Sequence, residues 1–107
     1  MDEDLKEAWN ISVRLLSRRE YTRKEIRLKL GQRGYPAELI DKVLEQLISN
    51  GYQSDARFAE HYTRFRASKG YGPKRIRLEL QEKGVDAGLI DDGLQQSLPP
   101  LLSVSSE

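Results

Sequence analysis

The chain has 107 residues, of which 37% are apolar and 33% charged. That balance suits one compact domain or a string of small helical units, and it excludes two ordinary globular cores. One histidine and no cysteine exclude disulfide frameworks, thiolate zinc sites and cysteine nucleophiles, and make a histidine-based metal site unexpected. No apolar run approaches the roughly 18 residues of a membrane span, and the acidic opening MDEDLKEAW is unlike a secretory signal. A cytoplasmic protein with no membrane contact is therefore expected. The net charge of +1 conceals an alternation, with residues 1–13 at −3, 14–33 at +6, 34–56 at −3, 57–83 at +5 and 84–107 at −4. Locally strong, globally cancelled charge can steer a polyanion or an acidic protein surface to one face.

In chain order, the first element runs roughly from Asp4 to Arg18 and carries Leu5, Ala8, Trp9, Ser12, Leu15 and Leu16 at helical spacing. The second, around EIRLKL, is ambiguous, because its alternation of apolar and charged residues is what a half-buried strand would show. A Thr22–Glu25 capping box, Gly34 at the stop and a content of Lys, Arg, Glu, Gln and Leu decide for helix. Ile26 and Leu30 then share one side while Leu28 points to the opposite one, beside Lys24 and Arg27. The third element starts at Pro36 as first helical residue, runs through Leu39, Ile40, Val43, Leu44, Leu47 and Ile48, and stops at Asn50-Gly51.

From there the pattern begins again. A fourth helix, roughly Asp55 to Lys69, has Ser54 as candidate N-cap and an apolar side of Phe58, Ala59, Tyr62 and Phe65. A fifth starts at Gly72-Pro73 and stops at Gly84, with Leu78 placed beside Lys74 and Arg77 as Leu28 is beside its own pair. A sixth is capped by Asp86 and carries Leu89, Ile90, Leu94 and Leu98. A shift of 50 residues aligns Tyr21–Ile48 with Tyr71–Leu98, identical at 13 of 28 positions, so the chain is a tandem repeat. The expected fold is all-α and elongated: a three-helix unit over 1–50, a second over 51–98, and a frayed tail over 99–107 that follows Pro99-Pro100.

Residue types give no catalytic site. There is no GxxxxGK[ST] loop and no HExxH, and His61, the single histidine, lies on the polar side of its helix as a solvated residue. GYGPK over 70–74 is a helix stop followed by a helix start, and Glu38, Asp41 and Glu45 form a solvated helix face. No enzyme, cofactor or metal is expected. The cations remain: Lys24 and Arg27, repeated as Lys74 and Arg77, project to one side of their helices, with Arg66, Lys69 and Arg75 extending the stripe in the second unit. A basic stripe of this kind can face acidic protein or nucleic acid.

Residues 53–84, QSDARFAEHYTRFRASKGYGPKRIRLELQEKG, resemble the signature stretch of the RecX family, bacterial regulators of the RecA recombinase. The preceding LLSRREYTRKEIRLKLGQRGYPAELIDKVLEQLISNGY resembles that family's first unit. The resemblance implies tandem three-helix units and a non-enzymatic, monomeric modulator. It would bind in the helical groove of RecA filaments on single-stranded DNA and lower their ATPase, strand-exchange and coprotease activities. It also implies a short form, with two of the three units that many members carry. The basic stripe, Lys24, Arg27, Arg66, Lys69, Lys74, Arg75 and Arg77, is then expected to face the filament or its DNA. Two other readings stay open: a helical-repeat protein that binds single- or double-stranded DNA directly through its basic stripes, and a scaffold that engages another partner through Leu28 and Leu78.

Overall fold

The structure is a computed structural model that describes residues 2–97. It contains six helices: α1 (Asp2–Arg18), α2 (Arg23–Gln32), α3 (Ala37–Ser49), α4 (Asp55–Ser68), α5 (Pro73–Glu82) and α6 (Ala87–Ser97). No strand occurs among the described residues. The chain divides between Ser54 and Asp55 into two compact units of three helices. The expected tail over 99–107 lies outside the described residues.

Helix wins over strand in the second element because its start is tied down. The Thr22 side-chain oxygen accepts the Glu25 backbone N–H at 3.0 Å, and the Thr22 N–H donates to the Glu25 carboxylate at 3.0 Å. This reciprocal cap satisfies two backbone donors that would otherwise lack partners. In the second copy Gly72 caps α5 and Pro73 supplies its first residue, where the missing N–H costs nothing. The burial pattern follows the helical period: Ile26, Leu30, Ile76 and Leu80 are fully buried, while Leu28 and Leu78 are each 61% exposed. In a strand, Leu28 would have shared the face of Ile26 and Leu30.

Both middle helices stop in the same way. Gly34 (φ 92°) and Gly84 (φ 87°) take the left-handed conformation. The next N–H, from Tyr35 or Val85, then returns to the carbonyl of Leu30 or Leu80 at 3.3 and 3.1 Å. Pro36 differs from expectation by one position. Its ψ of 154° is extended, so it caps α3 from outside while its carbonyl accepts the first helical bond, from Ile40 at 3.1 Å. Asp86 caps α6 as read from the sequence, its carboxylate accepting the Gly88 N–H at 3.1 Å.

Each unit has its own core. In the first, Ile26 and Leu30 of α2 meet Leu39, Ile40, Val43, Leu44 and Leu47 of α3 and Ala8 of α1, with Leu5, Trp9 and Leu16 packed against them. Gln53 closes this unit by donating its side-chain N–H to the Tyr21 carbonyl at 3.2 Å, and Tyr52 stands edge-on to Trp9 with centroids 5.4 Å apart. The Tyr35 hydroxyl donates to the Glu7 carboxylate, which raises the phenol above its ordinary value. In the second unit Ile76 and Leu80 of α5 meet Phe58 and Ala59 of α4 and Ile90 and Leu94 of α6, with Val85 from the connecting turn. Phe65, expected on the apolar side of α4, is instead 57% exposed. The buried stripe of α4 runs through Ala59 and Thr63 to the half-buried Ala67, and Phe65 lies off that stripe, facing outward.

Candidate partner-binding surface

The first unit presents Lys24 and Leu28 on the outward side of α2, one helical turn apart and both exposed. Arg27 lies between them in sequence and turns toward α3, where its guanidinium donates to the Asp41 carboxylate at 2.6 Å. The second unit repeats the arrangement with Lys74, Leu78 and an Arg77–Asp91 pair. These ion pairs are solvent-exposed and contribute little to stability, on the order of 0–1 kcal/mol each. Their effect is positional, since each holds one cation against α3 or α6 and leaves the neighbouring lysine and leucine facing solvent.

The second unit adds a tighter cluster than the first, where Arg19 lies over the Tyr21 ring at 3.7 Å and 3.7 Å from the Glu25 carboxylate. Glu79 of α5 receives both Nε and a terminal nitrogen of Arg66 at 2.9 Å each, the Tyr62 hydroxyl at 2.8 Å and Arg75 Nε at 3.2 Å. A bidentate guanidinium on a carboxylate that is only 18% exposed is a strong pairing. The Arg66 hydrogen bonds, with the Tyr62 hydroxyl, hold the Glu79 carboxyl down at about 2, and Arg66 is raised in turn. Gly70 (φ 93°) turns the chain after α4, and the Tyr71 N–H returns to the Arg66 carbonyl at 3.2 Å. That turn lays the Tyr71 ring under the guanidinium of Arg66 at 3.8 Å, with Arg75 at 4.9 Å. Lys69 stands 5.5 Å from the centroid of the exposed Phe65 ring, within the range of cation–π attraction.

The seven cations singled out in the sequence thus divide by environment. Lys69, Lys74 and Arg75 are exposed, as is Lys24 in the first unit. Arg27 and Arg77 are half-exposed in their aspartate pairs, and Arg66 is turned inward onto Glu79. Sequence reasoning missed Glu79. The available signal was its i+4 spacing from Arg75, together with the Tyr62–Arg66 spacing on α4, but only the packing of α4 on α5 joins the two pairs. At the equivalent position the first unit has Lys29, 5.9 Å from the Tyr21 ring.

The folded-state pKa of Glu79 lies below its ordinary value of 4.5, so its pairing stabilises the second unit above that pH and is lost as the pH falls toward 2. Glu79→Gln is expected to lower the melting temperature at neutral pH. It should also flatten the acid loss of stability between those two values. Thermal melts by circular dichroism at neutral pH and at about pH 3 check this; equal acid sensitivity in the two proteins would contradict it.

Fold and surface together define a tandem three-helix repeat protein that presents the same lysine–arginine–leucine group from each unit. Residues 8–47 match the first three-helix domain of RecX and residues 54–94 the second. The chain belongs to the RecX family. It is 46% identical over 59 residues to the regulatory protein RecX of Chromohalobacter salexigens and 44% identical over 63 residues to that of Mannheimia succiniciproducens. These matches cover 55% and 59% of this chain but 39% and 41% of those proteins, so the chain spans well under half the length of the curated relatives it matches. The crystal structure of RecX from Lactobacillus salivarius superposes with a TM-score of 0.85 at 29% identity, over 92% of this chain and 64% of that one. A second, titled as the regulatory protein RecX, gives 0.83 at 27% identity over 94% and 51%. No described helix is long and apolar enough to cross a membrane.

Proposed function

We propose that this chain is a regulator of RecA that docks on RecA filaments assembled on single-stranded DNA and lowers their ATP hydrolysis, strand exchange and coprotease activity. The observation that carries the reading is the recurrence of one exposed group, Lys24 with Arg27 and then Lys74 with Arg77, in two units of one fold. A filament offers the same surface at each protomer, so a repeat protein can meet successive copies with successive units, and modest contacts then add through effective concentration. Lys24, Arg27, Lys69, Lys74, Arg75 and Arg77 face acidic filament surface or its DNA, and Arg66 contributes by holding Tyr71. The protein acts as a cytoplasmic monomer.

Charge reversal at Lys74 and Arg77 together is expected to weaken filament binding by roughly ten-fold or more at low salt, measured by fluorescence anisotropy of the labelled chain. Unchanged affinity would remove the stripe from the interface. The exposed rings of Phe65 and Tyr71 among Lys69 and Arg75 favour one second reading, direct binding of single-stranded nucleic acid by base stacking. The same titration with DNA and no RecA separates the two, since direct binding falls steeply with salt through counterion release.

A further inference from the structure

One exposed leucine on a helix means nothing by itself, because single apolar side chains are common on protein surfaces. Leu28 and Leu78 are a different case. Of the identities shared by the two units, Ile26/Ile76, Leu30/Leu80, Ile40/Ile90 and Leu44/Leu94 are explained by the cores, and Gly34/Gly84 by the left-handed turn. The leucine pair is explained by neither, being 61% exposed in each unit and on the side of α2 or α5 away from the buried stripe. A polar residue would serve the fold equally well there. More than half of the aligned positions have diverged between the units, yet this one has kept both its residue and its exposure.

Part of its surroundings is kept as well, although one turn further on the first unit has Gln32 and the second has the exposed Glu82. Each leucine has a lysine one turn before it, Lys24 or Lys74, and an arginine adjacent in sequence that an aspartate of the following helix holds in place. An apolar anchor bordered by cations is the complement of an apolar pocket bordered by carboxylates. The same anchor presented twice by one chain is the complement of a surface that presents such a pocket repeatedly.

We infer that Leu28 and Leu78 are equivalent anchors, each inserted into the same acid-rimmed apolar pocket on a different copy of a homopolymeric protein partner. This rests on the RecA-filament reading and adds the contact and its multiplicity: one pocket per protomer, two protomers per chain. Affinity then comes from two weak sites joined through the chain, each raising the local concentration of the other.

The test compares Leu28→Asp, Leu78→Asp and the double variant with the full wild-type chain for binding to RecA filaments on single-stranded DNA, with Ile48→Asp as a control at an exposed apolar position outside the group. Each leucine variant should lose affinity by a similar factor, roughly 10- to 100-fold, and the double variant should lose measurable binding, while the control stays near wild type. Circular dichroism melts establish that all are folded, as substitution at exposed sites leads one to expect. If the wild type binds and the leucine variants bind equally well, the anchors are overturned and the filament reading survives. If one leucine carries the whole loss, the equivalence of the two units is overturned. A wild type that does not bind the filament overturns both readings. A concentration-dependent dimer that either substitution dissolves would assign the leucines to a second copy of this chain and overturn the inference.

Discussion

Gly93→Val is expected to destabilise the second unit by about 3 kcal/mol, the upper part of the range for forcing extra atoms into a packed core. A Cβ built on Gly93 would stand 2.9 Å from the Cβ of Ala59, closer than such atoms come in real proteins, and 3.3 Å from its carbonyl carbon, a tight contact. Ala59 is fully buried, and the obstruction includes α4 backbone, so no flexible side chain can swing aside. The helix propensity gained by replacing glycine, a few tenths of a kcal/mol for valine, is too small to offset this. In the first unit the equivalent position is Val43, whose side chain is fully buried. Denaturation followed by circular dichroism gives the loss. Wild-type stability in the variant would mean that α4 and α6 pack less closely than described.

Leu80→Ala is expected to cost about 2–5 kcal/mol, the range for emptying a fully buried leucine site, whereas Leu78→Ala should stay within about 0.5 kcal/mol of wild type. The two residues are neighbours on α5, one fully buried and the other 61% exposed. Leu30→Ala and Leu28→Ala should repeat the contrast in the first unit, where Trp9, the single tryptophan of the chain, reports unfolding locally. Cores this small leave little reserve, so a loss at the upper end approaches the whole stability of a marginal domain. Comparable costs within either pair, read from chemical denaturation, would contradict the helical assignment, because a strand would place both leucines on one face.

That contrast also shows what sequence reasoning could and could not reach. Periodicity misleads in EIRLKL and RIRLEL, since residues two apart are apolar in each. What identified the helices was chemistry at their ends: Thr22 with Glu25, Gly72-Pro73, and the glycines that reverse the chain. These are local interactions, written in consecutive residues. The repeat was equally legible, because core and turn residues recur at a fixed offset. Glu79 was not, as its partners come from Tyr62 and Arg66 on another helix as well as from Arg75, and pairing across helices leaves no trace in spacing. Phe65 was misplaced for a related reason. It continues the apolar series of α4, but the buried side of that helix follows the small residues Ala59, Thr63 and Ala67, which leaves Phe65 outside it. Val85 entered the core from a turn that the sequence marks only as a stop, and Pro36 stands one position outside the helix it was expected to begin.

In the proposed function two copies of one small fold act together on RecA. The most direct measurement is the rate of ATP hydrolysis by RecA on single-stranded DNA as the chain is titrated in, at low and at moderate salt. Inhibition is expected at chain concentrations well below that of the DNA, weakened but not removed by salt. A rate that stays constant through saturating amounts of folded chain at both salts would contradict it.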